Sequence, residues 1–504
     1  MKNYLRYSFT LGFALAACGD DPKAQPADAA VTPDATSGDA APGDATPGDA
    51  TVGPYTPAKE KLVPLSATGP DQIQSVATGP DGKFYLGGFF AQTLTGPRIL
   101  TLLRVTSAGA GDPSYGNGGG VAFVPSPAVF FQGGDDEIDV ATQADGKIVM
   151  SATVANATNP ADHDIALVRF LPTGALDRTF GAAQTGFVVV NLNDALVGTG
   201  DPIGRDAARG LAVSDAGIFV HAVSRGLGTA PGGGDRTDTD FTVVKLTLDG
   251  VIDETFGDQT AAGRKGQFRL DLAGSDADVR GIVALGDGTL VAAGSATSTL
   301  VGGTTQPVIY KLTAAGALDL SFHATGIFHE VVLAVQTTVA AIAIEDGKLV
   351  TGGSGRATGA ANQFVSLRFD LATGARDLTW GGTTTGVVAF DPSGSQLDSS
   401  CHGAAALPGG KTLLIGSTGP ANQASQDAVF AVLDAAGKLD PAYGTGINTY
   451  KFKASATDTV DGADQLWGAA VSGEKFAILG YKGAGATQTE AVNDDSYGAL
   501  VDIQ

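Results

Sequence analysis

Basic residues are scarce in this chain: 31 Lys and Arg face 53 Asp and Glu in 504 residues, a formal net charge of -22. So acidic a protein lacks the positive field that nucleic-acid binding requires. Cysteine is almost missing, and two residues, Cys18 and Cys401, cannot make a disulfide framework. Paired histidines are missing as well. His163, His221, His323 and His329 form no His-x-x-x-His spacing, which leaves little for a zinc site. The apolar stretch at residues 9–17 is shorter than the roughly 20 residues a membrane-spanning helix needs. The chain as a whole is 43% hydrophobic, too much for a wholly disordered protein, and the length allows several domains or one large repeat fold.

Residues 1–17 carry Lys2 and Arg6 ahead of that apolar stretch, the pattern of an export signal. The segment ends in Leu15-Ala16-Ala17-Cys18, which resembles the lipobox of bacterial lipoproteins. The resemblance implies cleavage before Cys18 and lipidation of its thiol. Gly19 rather than Asp follows the cysteine, which under the best-known sorting rule for such lipoproteins permits transfer to the outer membrane. More than one acyl chain anchors stably, at about 0.8 kcal/mol per buried methylene. Residues 18–58 are then a tether of Ala, Pro, Asp, Thr and Gly with almost nothing to bury. A flexible chain of that length reaches roughly 35 Å.

From residue 61 the chain repeats. A first anchor is a Gly turn between two apolar runs, at Asp81-Gly82, Asp145-Gly146, Ala216-Gly217, Asp287-Gly288, Asp346-Gly347, Gly409-Gly410 and Ser472-Gly473. Intervals of 59 to 71 residues separate these glycines, and two-residue type I′ turns are expected, with the glycine second. A second anchor follows the first six: Asp112-Pro113-Ser114-Tyr115-Gly116, Asp177-Arg178-Thr179-Phe180-Gly181, Asp253-Glu254-Thr255-Phe256-Gly257, Asp319-Leu320-Ser321-Phe322-His323, Asp377-Leu378-Thr379-Trp380-Gly381 and Asp440-Pro441-Ala442-Tyr443-Gly444. There the Asp turns the backbone, the aromatic plugs between sheets and the Gly takes the strained conformation.

The best unit, Asp145-Gly146-Lys147-Ile148-Val149 with Val168-Arg169-Phe170 and Leu176-Asp177-Arg178-Thr179-Phe180-Gly181, resembles the delta-60 repeat family of bacterial surface proteins. The resemblance covers residues 61–504 and implies a propeller-like repeat domain without a shared catalytic activity. Independently, four strands per unit of 60 to 70 residues suit a propeller blade, whereas a β-solenoid coil repeats at about 20 to 30. The expected fold is all-β: a seven-bladed β-propeller with four antiparallel strands per blade over residues 59–504. The N-terminal strand at residues 61–65 is expected to pair with the last unit.

Up-and-down strands put both anchors on one face and the variable connections, at residues 125–137, 191–208, 224–240, 455–465 and 482–496, on the other. Rigid scaffolds carry recognition on such loops. These loops are acidic, with Asp135, Asp136 and Glu137; Asp194, Asp201 and Asp206; Asp235, Asp238 and Asp240; Asp458, Asp461 and Asp464. Asp235, Asp238 and Asp240 are candidate calcium ligands, although no loop has a complete calcium motif and solvated loops explain the charge equally simply. No cofactor besides calcium is expected. No catalytic set emerges: Cys401-His402 are sequence neighbours, which rarely face each other as nucleophile and base. The sequence thus points to a monomeric, lipid-anchored cell-surface protein that binds a protein or glycan without catalysis. An extracellular hydrolase or lactonase with a metal in the central channel is the alternative, to be favoured by inward carboxylates converging with a His. A structural envelope component is the third reading.

Overall fold

The computed structural model describes residues 61–62, 65, 69–93, 96, 98–116, 118–123, 137–156, 162–192, 206–226, 236, 238–259, 265–272, 275–298, 303–419, 426–450, 463–482 and 495–504. Contacts divide the chain into Met1–Thr51 and Val52–Gln504, and every described residue lies in the second unit. The signal segment, the tether with Cys18, Asp235 and most of the acidic loops therefore lie outside the described residues.

Among the described residues the structure is all-β apart from two 3-10 turns, and it repeats one antiparallel sheet. In the first copy Asp71–Thr78, Phe84–Ala91, Arg98–Val105 and Gly120–Phe123 pair in chain order. Five sheets have four strands; the fourth and fifth repeats are joined into one nine-stranded sheet by Gln336–Thr337, which pairs parallel to Thr304–Leu312 and antiparallel to Lys348–Arg356. In the last sheet the fourth place is taken by the N-terminal strand, with Lys61 opposite Gly498 and Leu62 opposite Tyr497. Asp71 reinforces this junction from inside: it is fully buried, and its Oδ1 accepts from both the amide and the hydroxyl of Ser496.

Buried apolar clusters fill the spaces between successive sheets. Tyr85, Leu102 and Tyr115 of the first sheet pack on Ile148, Met150 and Phe170 of the second. Phe84 and Leu86 of that same first sheet pack on Ala477 and Leu479 of the last. Each sheet is covered on both faces, which is why Leu290, Val291, Ala292 and Ala293, and Leu413, Leu414 and Ile415, are apolar in succession instead of alternating.

The second anchors hold neighbouring repeats together. The Asp Oδ1 accepts from the residue two positions on, as in Asp177 with the Thr179 amide at 3.0 Å, while its Oδ2 meets a cation, here Arg169 Nε at 2.9 Å. Arg104, Lys245, Lys311, Arg368 and Lys411 do the same for Asp112, Asp253, Asp319, Asp377 and Asp440. The aromatics Tyr115, Phe180, Phe256, Phe322, Trp380 and Tyr443 are fully buried. The amide after the aromatic then reaches the next repeat: Gly116 to Thr173 O, Gly181 to Asp249 O and Gly381 to Ala436 O. These aspartates therefore fasten turns.

The first anchors differ from expectation. A two-residue turn with both central residues at positive φ occurs at Asp346-Gly347 (48° and 71°). At Asp81, Asp145 and Asp287 only the glycine has positive φ, because the turn is centred one residue earlier: the glycine amide donates to the carbonyl three residues back, which makes the Asp the third residue of the turn and the glycine the fourth. In the third and seventh repeats the turn centre slips by one residue, to Asp215-Ala216 and Gly473-Glu474.

Candidate functional site

The first strand of each repeat touches the first strand of the next, and Asp71–Thr78 touches Asp464–Ser472 of the last. A cavity of about 530 Å³ lies among these strands. Its walls are shaped by one recurring irregularity. In five of the strands a β-bulge inserts an extra residue: Gln74, Arg209, Arg280 with Gly281, His402 and Trp467. A bulge re-aims its side chain, and all five line the cavity. Each bulge sits toward the start of its strand, hence toward the end away from the Asp-Gly turns.

Glycines face four of these bulges; at the fifth, Ala208 pairs with Ala222. A Cβ on Gly88, Gly294, Gly416 or Gly480 would lie between 1.8 and 2.1 Å from the carbonyl oxygen of Gln72, Asp278, Ser400 or Gln465 on the bulged strand. The residue just before each bulge is a buried packing group: Ile73, Ala208, Val279, Cys401 and Leu466. Cys401 thus occupies a core position; burial pushes its thiol up to about 12, and its Sγ faces the Gly403 carbonyl. The imidazole of His402 turns the other way and stacks on Trp467, with centroids 4.2 Å apart and planes 15° apart. Burial, aided by the charge of Arg280, brings its pKa down to about 3, so this ring is neutral.

Charged groups gather on the opposite wall. Glu137 Oε1 receives Arg209 Nη1 at 3.2 Å and is also paired with Arg280 Nη1. Arg280 Nη2 reaches Asp278 at 3.2 Å. Behind it, buried His221 places Nδ1 3.3 Å from the Arg280 carbonyl and Nε2 2.7 Å from the Tyr310 hydroxyl. A neutral imidazole has one donor, so Nδ1 donates to the carbonyl and the tyrosine donates to Nε2. Asp139 Oδ2 is shielded from solvent without a hydrogen-bond partner, and burial, opposed by a bond from Ser75, raises its pKa to about 6.

Of the candidate calcium ligands, Asp238 and Asp240 do come together, joined by Asp271, with ligand oxygens within 4.8 Å of one another. The guanidinium of Arg236 pairs with all three carboxylates. A calcium ion there would have to displace a resident cation. Three acids expected on solvated loops are instead buried near strand starts: Asp206 at 0%, Asp464 at 1% and Asp240 at 3% exposure. Asp206 accepts from the Leu192 amide, though burial outweighs this and lifts its pKa to about 8.

These shifts fix a pH profile. Asp139 and Asp206 bind protons more tightly folded than unfolded, so they stabilise the fold fully below an unfolded pKa of about 3.9, and this is lost as pH rises through about 6 and 8. The anchors act oppositely. Asp377, held down to about 2 by the Thr379 hydroxyl against burial and with help from Arg368, contributes stability that is lost as pH falls from about 4 to 2. Buried His221 and His402, both brought down to about 3, oppose this below about pH 6.5, because the unfolded chain takes up their protons first. The melting temperature is therefore expected to rise from pH 8 to about 6.5 and to drop below 4; a flat profile from pH 8 to 6.5 would contradict the raised pKa of Asp206.

Apart from Glu137 and the Cys401-His402 pair, the sequence reading missed the cavity residues. Their signal was a dipeptide, Arg209-Gly210, Arg280-Gly281, His402-Gly403 and Trp467-Gly468, recurring near the start of the first strand. The small residue is needed because its neighbour approaches closely: a Cβ on Gly210 would lie 2.5 Å from Arg280 O and one on Gly281 2.9 Å from Ile342 N.

Repeated sheets in mutual contact define a β-propeller-like repeat protein. The family described as domain of unknown function (DUF5122) beta-propeller matches residues 143–180 and 285–322, each running from just before an Asp-Gly turn to the aromatic of the second anchor. No curated protein matches the chain. Among solved structures, a protein of unknown function from Dyadobacter fermentans is 13% identical at a TM-score of 0.40, covering 89% of this chain and 99% of its own. The β-propeller domain of the Trilobed protease from Pyrococcus furiosus is 11% identical at 0.39, covering 84% and 93%. An α-L-arabinanase from Penicillium chrysogenum is 11% identical at 0.38, covering 73% and 93%.

Proposed function

We propose that this chain is an exported lipoprotein, anchored through Cys18 to the outer membrane, whose seven-bladed propeller binds a surface ligand without catalysis. The closed contact sequence of the first strands and the N-terminal strand in the last sheet support seven blades. The observation that carries the binding reading is the set of five bulges, which aim dissimilar side chains into one cavity while the residues around them repeat. Repeated positions build the scaffold; positions that break the repeat are free to recognise.

A hydrolase remains the second reading, favoured by Asp139, a shielded carboxyl poised near pH 6 in the same cavity as Glu137, Asp278 and His402. Against it, Glu137 and Asp278 are engaged by arginines and His402 faces Trp467. The test is a glycan and cell-surface-protein array probed with the full chain, followed by product analysis of each hit. Binding without turnover supports the scaffold; turnover abolished by Asp139→Asn would replace it with the enzyme. Cys18→Ala should release the protein from membranes on fractionation, and unchanged association would remove the anchor.

A further inference from the structure

We infer that the channel cavity takes an acidic sugar, its carboxylate seated between Arg209 and Arg280 where Glu137 now lies and its ring set against the His402–Trp467 stack. This rests on the binding reading above and gives it a ligand class. Two guanidinium groups from adjacent repeats converge on a single oxygen, Glu137 Oε1. Guanidinium forks match planar carboxylates, and the site already holds one as an internal stand-in. Arg209 and Arg280 are part-exposed, with side-chain exposures of 12% and 24%, so an incoming carboxylate can reach them as Glu137 swings aside.

Across the same cavity the histidine is neutral and stacked, which makes a flat, uncharged platform with Trp467, itself steadied by donating Nε1 to Gln465 at 3.0 Å. The C–H face of a pyranose suits such a surface. The lining also includes the polar side chains of Gln74, Ser75 and Gln336, which are held by hydrogen bonds within the protein and disfavour a wholly apolar ligand. An arginine pair alone would fit any small anion; platform and polar lining narrow the occupant to a carboxylated ring.

Calorimetric titration of the full chain with trigalacturonate and with neutral galactotriose tests this. The acid should bind at least tenfold tighter, Arg280→Lys and Arg209→Ala should each weaken it about tenfold or more, and Glu137→Gln should tighten it severalfold by removing the competitor. Unchanged melting temperatures separate lost binding from lost folding, and Glu137→Gln predicts a gain that misfolding cannot mimic. Equal affinity for acid and neutral sugar, with both lost in Trp467→Ala, overturns the carboxylate seat and leaves the channel reading standing. No binding of either sugar overturns the inference, and array ligands that survive Trp467→Ala overturn the channel reading beneath it.

Discussion

Replacing Gly416 with valine should destabilise the protein by about 3 kcal/mol or more, a large effect for one side chain. The backbone at Gly416 is unremarkable and asks for no special φ. Its constraint comes from across the ladder, where the bulge at His402 pushes the Ser400 carbonyl to within 1.9 Å of where a Cβ would stand. Backbone cannot rotate away as a side chain can, so the bulge or the strand must give. His402 would lose its aim along with the fold. Gly286→Ala is the control, because nothing lies within 4 Å of its Cβ position. Thermal melts read both, and a Gly416→Val protein that melts with the wild type would mean that the bulges are not locked by their opposing glycines.

Arg169→Ala carries the second large effect, about 3–5 kcal/mol, because removing one partner of a buried ion pair leaves the other charge stranded. Arg169 is 1% exposed and Asp177 3%. Its guanidinium lies over Phe180, 4.7 Å from the ring centroid, and donates to Asp177, Thr179 and the Leu248 carbonyl of the next repeat. One side chain thus joins a turn, its aromatic plug and the neighbouring sheet. The exposed Lys348–Asp370 pair, at 46% and 39% side-chain exposure, is worth at most about 1 kcal/mol. If Lys348→Ala cost as much as Arg169→Ala, burial would not be the source of the anchor's strength.

The repeat was legible in the sequence because turns and plugs are local. Asp177 needs only Thr179, two residues away, and Phe180 announces itself by recurring beside an Asp and a Gly. The turn types were read less well: at Asp81 and Asp145 the turn is centred one residue earlier, with the glycine as its fourth residue, and Asp-Gly alone does not reveal which place in the turn it takes. The cavity was harder, since its residues meet only through the arrangement of sheets. Arg209 and Arg280 are 71 positions apart and share Glu137, which arrives from a third repeat. Cys401-His402 drew notice as a reactive pair, yet the strand sends the cysteine into the core and the bulge sends the histidine onto Trp467. The acidic balance also changes meaning: several aspartates on supposed loops are buried, and Asp238, Asp240 and Asp271 surround an arginine.

The central claim is that recognition resides in the channel side chains that break the repeat. The most direct measurement is array binding by the full chain compared with Trp467→Ala in the cavity and Leu378→Ser on the anchored-turn face, where Leu378 is 51% exposed. Loss of the hits in Trp467→Ala, with Leu378→Ser binding as the wild type does, is the predicted result. Hits that persist in Trp467→Ala and vanish in Leu378→Ser would contradict the account.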